Sequence, residues 1–135
     1  MRILLIDDEV RKAQALISYF QEVCRWRVDI ASGPDVALEL LRRKQNSNYG
    51  VIILDVMMEP GKEIPHDRSD HGRDTGLILL ELITELTGGR VSIILYTART
   101  DLDYLRTEGR VADYIQKPRS AREVANTIRR FVVAT

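Results

Sequence analysis

The sequence predicts a doubly wound α/β domain, in which five parallel strands alternate with five helices around one sheet. Three observations predict it. Apolar runs of strand length alternate with segments of helical period. The third run, Val51–Leu54, is apolar at every position, as expected where helices cover both faces of a parallel sheet. Four of the five runs also lead directly into polar residues. Met1–Ile6 delivers Asp7 and Asp8, Val51–Leu54 delivers Asp55, Val91–Tyr96 delivers Thr97, and Tyr114–Ile115 leads through Gln116 to Lys117-Pro118. Residues just past the carboxyl ends of such strands line one crevice, so these groups are expected to meet.

The elements follow in order. After the first strand, Val10, Ala13, Leu16, Ile17, Phe20 and Val23 recur at helical spacing and predict a first helix of about four turns. Arg25–Arg27 connects it to a short second strand, Val28–Ala31. Ser32-Gly33-Pro34 opens a second helix whose apolar contacts are Val36, Leu38, Leu40 and Leu41. Gln45–Gly50 reads as loop before the third strand. Gly76–Thr87 predicts a third helix closed by Gly88-Gly89, and Leu102–Thr107 a short fourth one ending at Gly109. The fifth helix opens on a capping box, Ser120 with Glu123, and carries Val124, Ile128, Phe131 and Val132 as its stripe. With right-handed crossovers, one domain spanning residues 1–135 accounts for the chain, with an insertion at 59–75.

Composition bounds the function. With 135 residues, 44% hydrophobic and 30% charged, the chain can bury a sizeable core without staples. A formal net charge of zero gives no broad basic field for nucleic acid or an anionic membrane. Arg42-Arg43 and Arg129-Arg130 lie within amphipathic helices and read as solvated faces. Cys24, the single cysteine, reads as a packing residue. The opening apolar run is only a strand long, and no run approaches the about 18 residues of a membrane span, so a cytoplasmic location is the economical expectation.

Three carboxylates, a hydroxyl and an ammonium in one crevice would bind a divalent cation and accept a phosphoryl group. Four runs carry a more specific resemblance: Ile3-Leu4-Leu5-Ile6-Asp7-Asp8-Glu9, Ile53-Leu54-Asp55-Val56-Met57-Met58, Leu95-Tyr96-Thr97-Ala98, and Ala112-Asp113-Tyr114-Ile115-Gln116-Lys117-Pro118. In this order at successive strand ends, they resemble the receiver domain of two-component response regulators over nearly the whole chain. The resemblance implies a flavodoxin-like (βα)5 fold with sheet order 2-1-3-4-5. It also implies a stand-alone phosphorelay switch with no independent enzyme class, one that catalyses only its own phosphorylation and dephosphorylation.

The resemblance implies a role for each residue. Asp55 would be the phosphoacceptor, taking a phosphoryl group from a histidine kinase or phosphotransfer protein. Asp8 would bind Mg²⁺ directly, Asp7 mainly through its water shell, and Asp55 and the backbone carbonyl of Met57 would complete the protein ligands, with Mn²⁺ able to substitute. Without a cation the clustered carboxylates repel, and one or more pKa values should rise. Thr97, the backbone amide of Ala98 and Lys117 would hold the phosphoryl oxygens, and Pro118 would follow a cis bond. Tyr114 reads either as an edge aromatic or as the switch aromatic that fills space vacated by Thr97. Met57 and Arg99 would flank the acyl phosphate, restrict attacking water and give slow to moderate decay. The face of the fourth helix, fifth strand and fifth helix would meet a downstream protein, with homodimerisation left open.

The chain departs from the family after Asp55. Glu59 separates Met58 from Pro60, and the loop runs on to Thr75 with both histidines and two of the four prolines. Irregular loops of this length are functional or disordered in most compact domains. Three readings compete: a mobile, solvated insertion; a partner-specificity or dimer element, including a lid over Asp55; and a second metal site from His66, Asp67, Asp70, His71 and Asp74. Two other functions compete with the switch. A phosphohydrolase of the haloacid-dehalogenase type needs a second Asp where this chain has Met57, and no Gly-rich phosphate loop follows the first strand. A phosphate-independent scaffold would have no need of the full acidic, hydroxyl and lysine set.

Overall fold

Successive residues of a strand point to opposite faces, and here both faces are apolar. The computed structural model describes residues 1–43 and 48–132. In it β1 (Arg2–Ile6), β2 (Arg27–Ala31), β3 (Tyr49–Leu54), β4 (Ser92–Thr97) and β5 (Asp113–Gln116) pair in parallel in the order β2-β1-β3-β4-β5. Leu4, Ile6, Ile52, Leu54, Ile93 and Leu95 face one core layer, under α2 (Pro34–Arg42), α3 (Thr75–Thr87) and α4 (Asp103–Thr107). Ile3, Leu5, Val51, Ile53 and Ile94 face the other, under α1 (Gln14–Ser18) and α5 (Ala121–Arg130). The sheet is therefore covered on both sides, which leaves the ends of its strands free of that cover.

The helices match the expected number and order, with informative differences at their ends. The chain from Val10 to Ala13 is turn, and α1 runs on as a π-helical Tyr19–Val23. The wider turn breaks the expected stripe: Phe20 is fully buried, yet Val23 is 60% exposed. In α2, Ala37 and Leu38 are buried and Val36 is largely exposed, so Ala37 makes the contact expected of Val36. Leu86 at the end of α3 is likewise exposed, and Gly88 closes that helix in the left-handed conformation with φ 65°. Ser120 caps α5 by accepting from the Glu123 amide at 3.1 Å. Cys24 is half-buried and packs against the α1–α5 core layer. Of the loop expected at Gln45–Gly50, residues 45–47 lie outside the described residues, and Tyr49 and Gly50 belong to β3.

The insertion expected over 59–75 ends at Asp74, because Thr75 opens α3, and it is packed onto the domain. Ile64 is 1% exposed and belongs to the core layer of α2 and α3, and Pro60, Ser69 and Gly72 are buried. The carboxylate of Asp35, in the first turn of α2, accepts the backbone amides of Lys62 (2.9 Å) and Glu63 (3.4 Å). The Arg42 guanidinium pairs with both oxygens of Glu63 at 2.9 and 3.0 Å. Farther on, the Ser69 hydroxyl accepts from the Gly72 amide at 3.2 Å and the Gly72 carbonyl accepts from the Met58 amide at 3.1 Å. A solvated excursion would show none of this burial. The insertion also brings no second metal site: among the described residues, the one acidic cluster of metal-holding geometry is Asp7, Asp8 and Asp55.

Candidate functional site

The strand ends do converge. Asp55 follows β3 and its amide donates to the Ile6 carbonyl of β1 at 3.0 Å, while the Asp7 amide donates to Ala31 of β2 at 3.0 Å. The Lys117 amide donates to the Thr97 carbonyl at 2.8 Å, locking the ends of β4 and β5 together. The Lys117–Pro118 peptide bond is cis. Across this frame the Lys117 ammonium reaches Asp7 Oδ2 at 2.7 Å and Asp55 Oδ2 at 3.2 Å, over the ring of Tyr96. Asp7 and Asp55 are almost fully buried and Asp8 is exposed. Ligand oxygens of all three lie within 4.8 Å of one another.

The electrostatics are those of a site short of positive charge. Burial above all raises the Asp55 pKa; Lys117 and a hydrogen bond from Thr97 pull it down, but with Asp7 adding repulsion they do not compensate. Asp8 is raised by desolvation and by repulsion from Asp7 and Asp55. Burial opposes the charge of Lys117, but its bond to Asp7 and the charges of Asp55 and Asp7 prevail and raise its pKa. One ammonium cannot balance three carboxylates. The donor set is all oxygen with a cation already bridging two members, which suits a hard divalent ion.

The structure also places the remaining residues. Thr97 is fully buried as the last residue of β4, and its hydroxyl accepts from the Arg99 amide at 3.4 Å. Ala98 and Met57 are exposed at the rim. Tyr114 is half-buried against the α2–α4 core layer and donates its hydroxyl to the Arg99 carbonyl. Arg99 differs from expectation. Its side chain is only 7% exposed and turns inward, away from the rim. Nε and Nη2 donate to the two oxygens of Asp101 at 2.8 Å, and Nη1 donates to Asp74 at 2.8 Å and to the Arg73 carbonyl at 3.0 Å. A buried guanidinium fulfils its donors where carboxylates lie, and here they lie in the insertion and after β4.

Two structural residues of the site escaped the sequence reading. Gly76 donates its amide to the Val56 carbonyl at 2.8 Å, and a Cβ there would stand 2.4 Å from the Asp55 carbonyl oxygen. Thr75 is fully buried and donates its hydroxyl to the Met58 carbonyl at 2.6 Å. Together they press the start of α3 against the chain that carries Asp55. The Thr75-Gly76 pair at the opening of a helical stripe was the signal available for them. A surface groove of about 810 Å³ lies beside Gly88, Gly89 and Gly109, and none of its lining residues belongs to the crevice. A smaller pocket of about 280 Å³ opens between Lys12, Leu16, Tyr96 and Pro118 and leads to Asp7 and Lys117.

No family model matches the sequence, and no curated protein matches it. Solved structures do. A response regulator receiver domain protein from Clostridium thermocellum is 25% identical, with a TM-score of 0.69 over 96% of this chain and 91% of that one. The receiver domain of the Francisella response regulator 1452 is 24% identical, with a TM-score of 0.73 over 96% and 94%. The response regulator TrrA from Thermotoga maritima, solved in complex with Mg²⁺ and beryllium fluoride, is 22% identical, with a TM-score of 0.70 over 97% and 98%.

Proposed function

We propose that this chain, which has the receiver-domain fold of response regulators, is a two-component signalling switch with Asp55 as its phosphoacceptor. One observation carries the reading: Asp7, Asp8, Asp55, Thr97 and Lys117, drawn from four strand ends, meet around one buried carboxylate. Phosphoryl transfer needs positioning and charge neutralisation more than acid–base chemistry, and this set supplies both. A carboxylate oxygen of Asp55 attacks the phosphorus of a phosphohistidine on a kinase or phosphotransfer protein. The P–N bond breaks, its electron pair returns to the imidazole nitrogen, and the aspartyl phosphate forms.

Lys117 leaves its bridge between Asp7 and Asp55 to neutralise one phosphoryl oxygen, Thr97 donates its hydroxyl to another, and the Ala98 amide serves a third. Asp7, Asp8, Asp55 and the backbone carbonyl of Met57 would hold Mg²⁺, which when bound offsets the charge gathered on carboxylates and phosphoryl group. Exposed Met57, at the rim, limits the approach of water and so the rate of decay. Tyr114 follows Thr97 and alters the face formed by α4, β5 and α5, where Tyr104 is exposed and Arg106, Gln116 and Arg119 line a shallow recess. A protein partner reads that face. No helix among the described residues is long and apolar enough to cross a membrane, which suits a cytoplasmic partner.

The test is incubation with Mg²⁺ and acetyl phosphate followed by intact mass measurement. One phosphoryl adduct is expected, abolished by Asp55→Asn and by chelation of the metal. Absence of any adduct in the wild-type protein would return the chain to the phosphate-independent scaffold.

A further inference from the structure

Arg99 is a residue at which the crevice and the insertion touch. Its backbone amide donates to the Thr97 hydroxyl and its carbonyl accepts from Tyr114. Its guanidinium holds Asp101, Asp74 and the Arg73 carbonyl. Asp74 stands immediately before α3, whose Gly76 amide is fixed to Val56 beside Asp55. A closed circuit therefore runs from Asp55 through Val56, Gly76 and Asp74 to Arg99, and from Arg99 back to Thr97 at the crevice.

We infer that Arg99 is a positioning residue that couples the Thr97 hydroxyl to the 59–74 insertion, so that phosphoryl occupancy of Asp55 is read out in that insertion. This rests on the phosphoacceptor reading above. Thr97 is fully buried with its hydroxyl donating to Asp55 and accepting from the Arg99 amide, so a phosphoryl group added to Asp55 displaces that hydroxyl and moves residues 97–99 together. The guanidinium must then shift or pull on its partners. The start of α3 cannot follow, because Gly76 already sits against the Asp55–Val56 backbone with no room for even a Cβ. The displacement passes to the other side of Asp74. There the Asp74 amide bonds to the Ser69 carbonyl at 2.7 Å and the Gly72 amide to the Ser69 hydroxyl at 3.2 Å. Asp70 and His71, with φ of 51° and 54°, form the tight turn between them. Arginine suits this role because a planar fork can hold two carboxylates at fixed angles, whereas an ammonium on a flexible stem cannot. The insertion is thereby the second responsive surface of the protein, at the far side of the phosphoacceptor from α5.

Hydrogen exchange of the whole chain tests the coupling, with peptides covering residues 66–74 followed in Mg²⁺ alone and in Mg²⁺ with fluoroberyllate as the phosphoryl mimic. The ratio of exchange rates between these two conditions at Ser69, Gly72 and Asp74 is expected to be about fivefold or more in the wild type. In Arg99→Gln and in Asp74→Asn the ratio should fall below about twofold. Asp74→Asn keeps the Arg99–Asp101 pair and so serves if Arg99→Gln fails to fold. Arg99→Lys should stay uncoupled, since it keeps the charge and loses the fork. A merely structural Arg99 would speed exchange equally in both conditions and leave the ratio at its wild-type value, which overturns the inference. So does an unresponsive 66–74 segment in wild-type protein that acetyl phosphate demonstrably modifies at Asp55. If acetyl phosphate leaves no adduct and fluoroberyllate changes no peptide, the phosphoacceptor reading itself fails and takes this inference with it.

Discussion

The crevice and the insertion treat polar groups in opposite ways. In the crevice three carboxylates share one ammonium, and Asp55 and Asp8 are held above the usual carboxylate range. Where the insertion meets the domain the charges are matched: Asp35 accepts two backbone amides, Glu63 pairs with Arg42, and Asp74 and Asp101 divide the Arg99 guanidinium. Asp101 accordingly falls to about 2, by its bond to Arg99 above all. A site short of counter-charge is built to receive a cation or a phosphoryl group. A seam whose charges are already answered is built to hold a shape.

The largest expected effect lies in the crevice. Lys117→Ala removes the ammonium that bridges Asp7 and Asp55 and that would meet the phosphoryl oxygen. Its rate of phosphorylation by acetyl phosphate should drop by about 10² or more, the usual loss when a group placed on developing charge is removed. Mg²⁺ binding should survive, because the three carboxylates remain. Should the variant be phosphorylated at the wild-type rate, Lys117 belongs to the fold alone and the contrast with the insertion collapses.

The next effect tests the insertion as structure. Ile64 is buried in the main core layer, so Ile64→Ala should lower the unfolding free energy by about 2–5 kcal/mol. A solvated loop would register less than about 0.5 kcal/mol for the same change. Chemical denaturation measures it directly. A small value would mean that the insertion rests on its surface ion pairs, and the contrast between the regions would need redrawing.

Most of the crevice was legible in the sequence, and the insertion was not, for a physical reason. Strand ends of a parallel sheet share one edge, so Asp7, Asp55, Thr97 and Lys117 could be brought together from topology alone. Nothing comparable governs an irregular segment. The pairing of Asp35 with Lys62 and Glu63 depends on where the loop lies along α2, and no periodicity encodes that. Arg99 shows the same limit within the crevice itself. Its position two residues after Thr97 was readable, but the direction of its side chain depends on Asp74, which the insertion supplies. Val23 was misplaced for a different reason, since a π-helical turn conceals itself in a sequence of α-helical spacing.

Gly76 joins the two regions, and its effect should be intermediate. Gly76→Ala drives a methyl into the Asp55 carbonyl oxygen and the Val56 Cα, at 2.4 and 2.5 Å, where only backbone could yield. Overpacking of this kind costs about 1–3 kcal/mol. Gly33→Ala is the milder comparison: nothing lies within 4 Å of its added Cβ, and only the loss of a favourable helix-capping residue, about 0.5–1 kcal/mol, is expected there. Equal effects at the two glycines would mean that α3 is not pressed on the phosphoacceptor chain.

The smallest effect bears on the charge shortage itself. Asp55 has a folded pKa above its ordinary 3.8, so the folded protein binds that proton more tightly than the unfolded chain does. In metal-free buffer at neutral pH the buried carboxylate therefore works against the fold. That penalty disappears as pH falls through the raised value toward 3.8. Asp55→Asn has no such proton to bind. It should be more stable than wild type near pH 7 without metal, and its advantage should shrink steadily on acidification. Thermal melts of the two proteins in chelator, taken across that range, give the difference directly. Added Mg²⁺ should narrow the gap at neutral pH, because the cation opposes the same repulsion that protonation relieves. A gap that ignores both pH and Mg²⁺ would mean that Lys117 already answers the charge of Asp55. The crevice would then be as self-contained as the insertion, with no electrostatic reason to take a ligand.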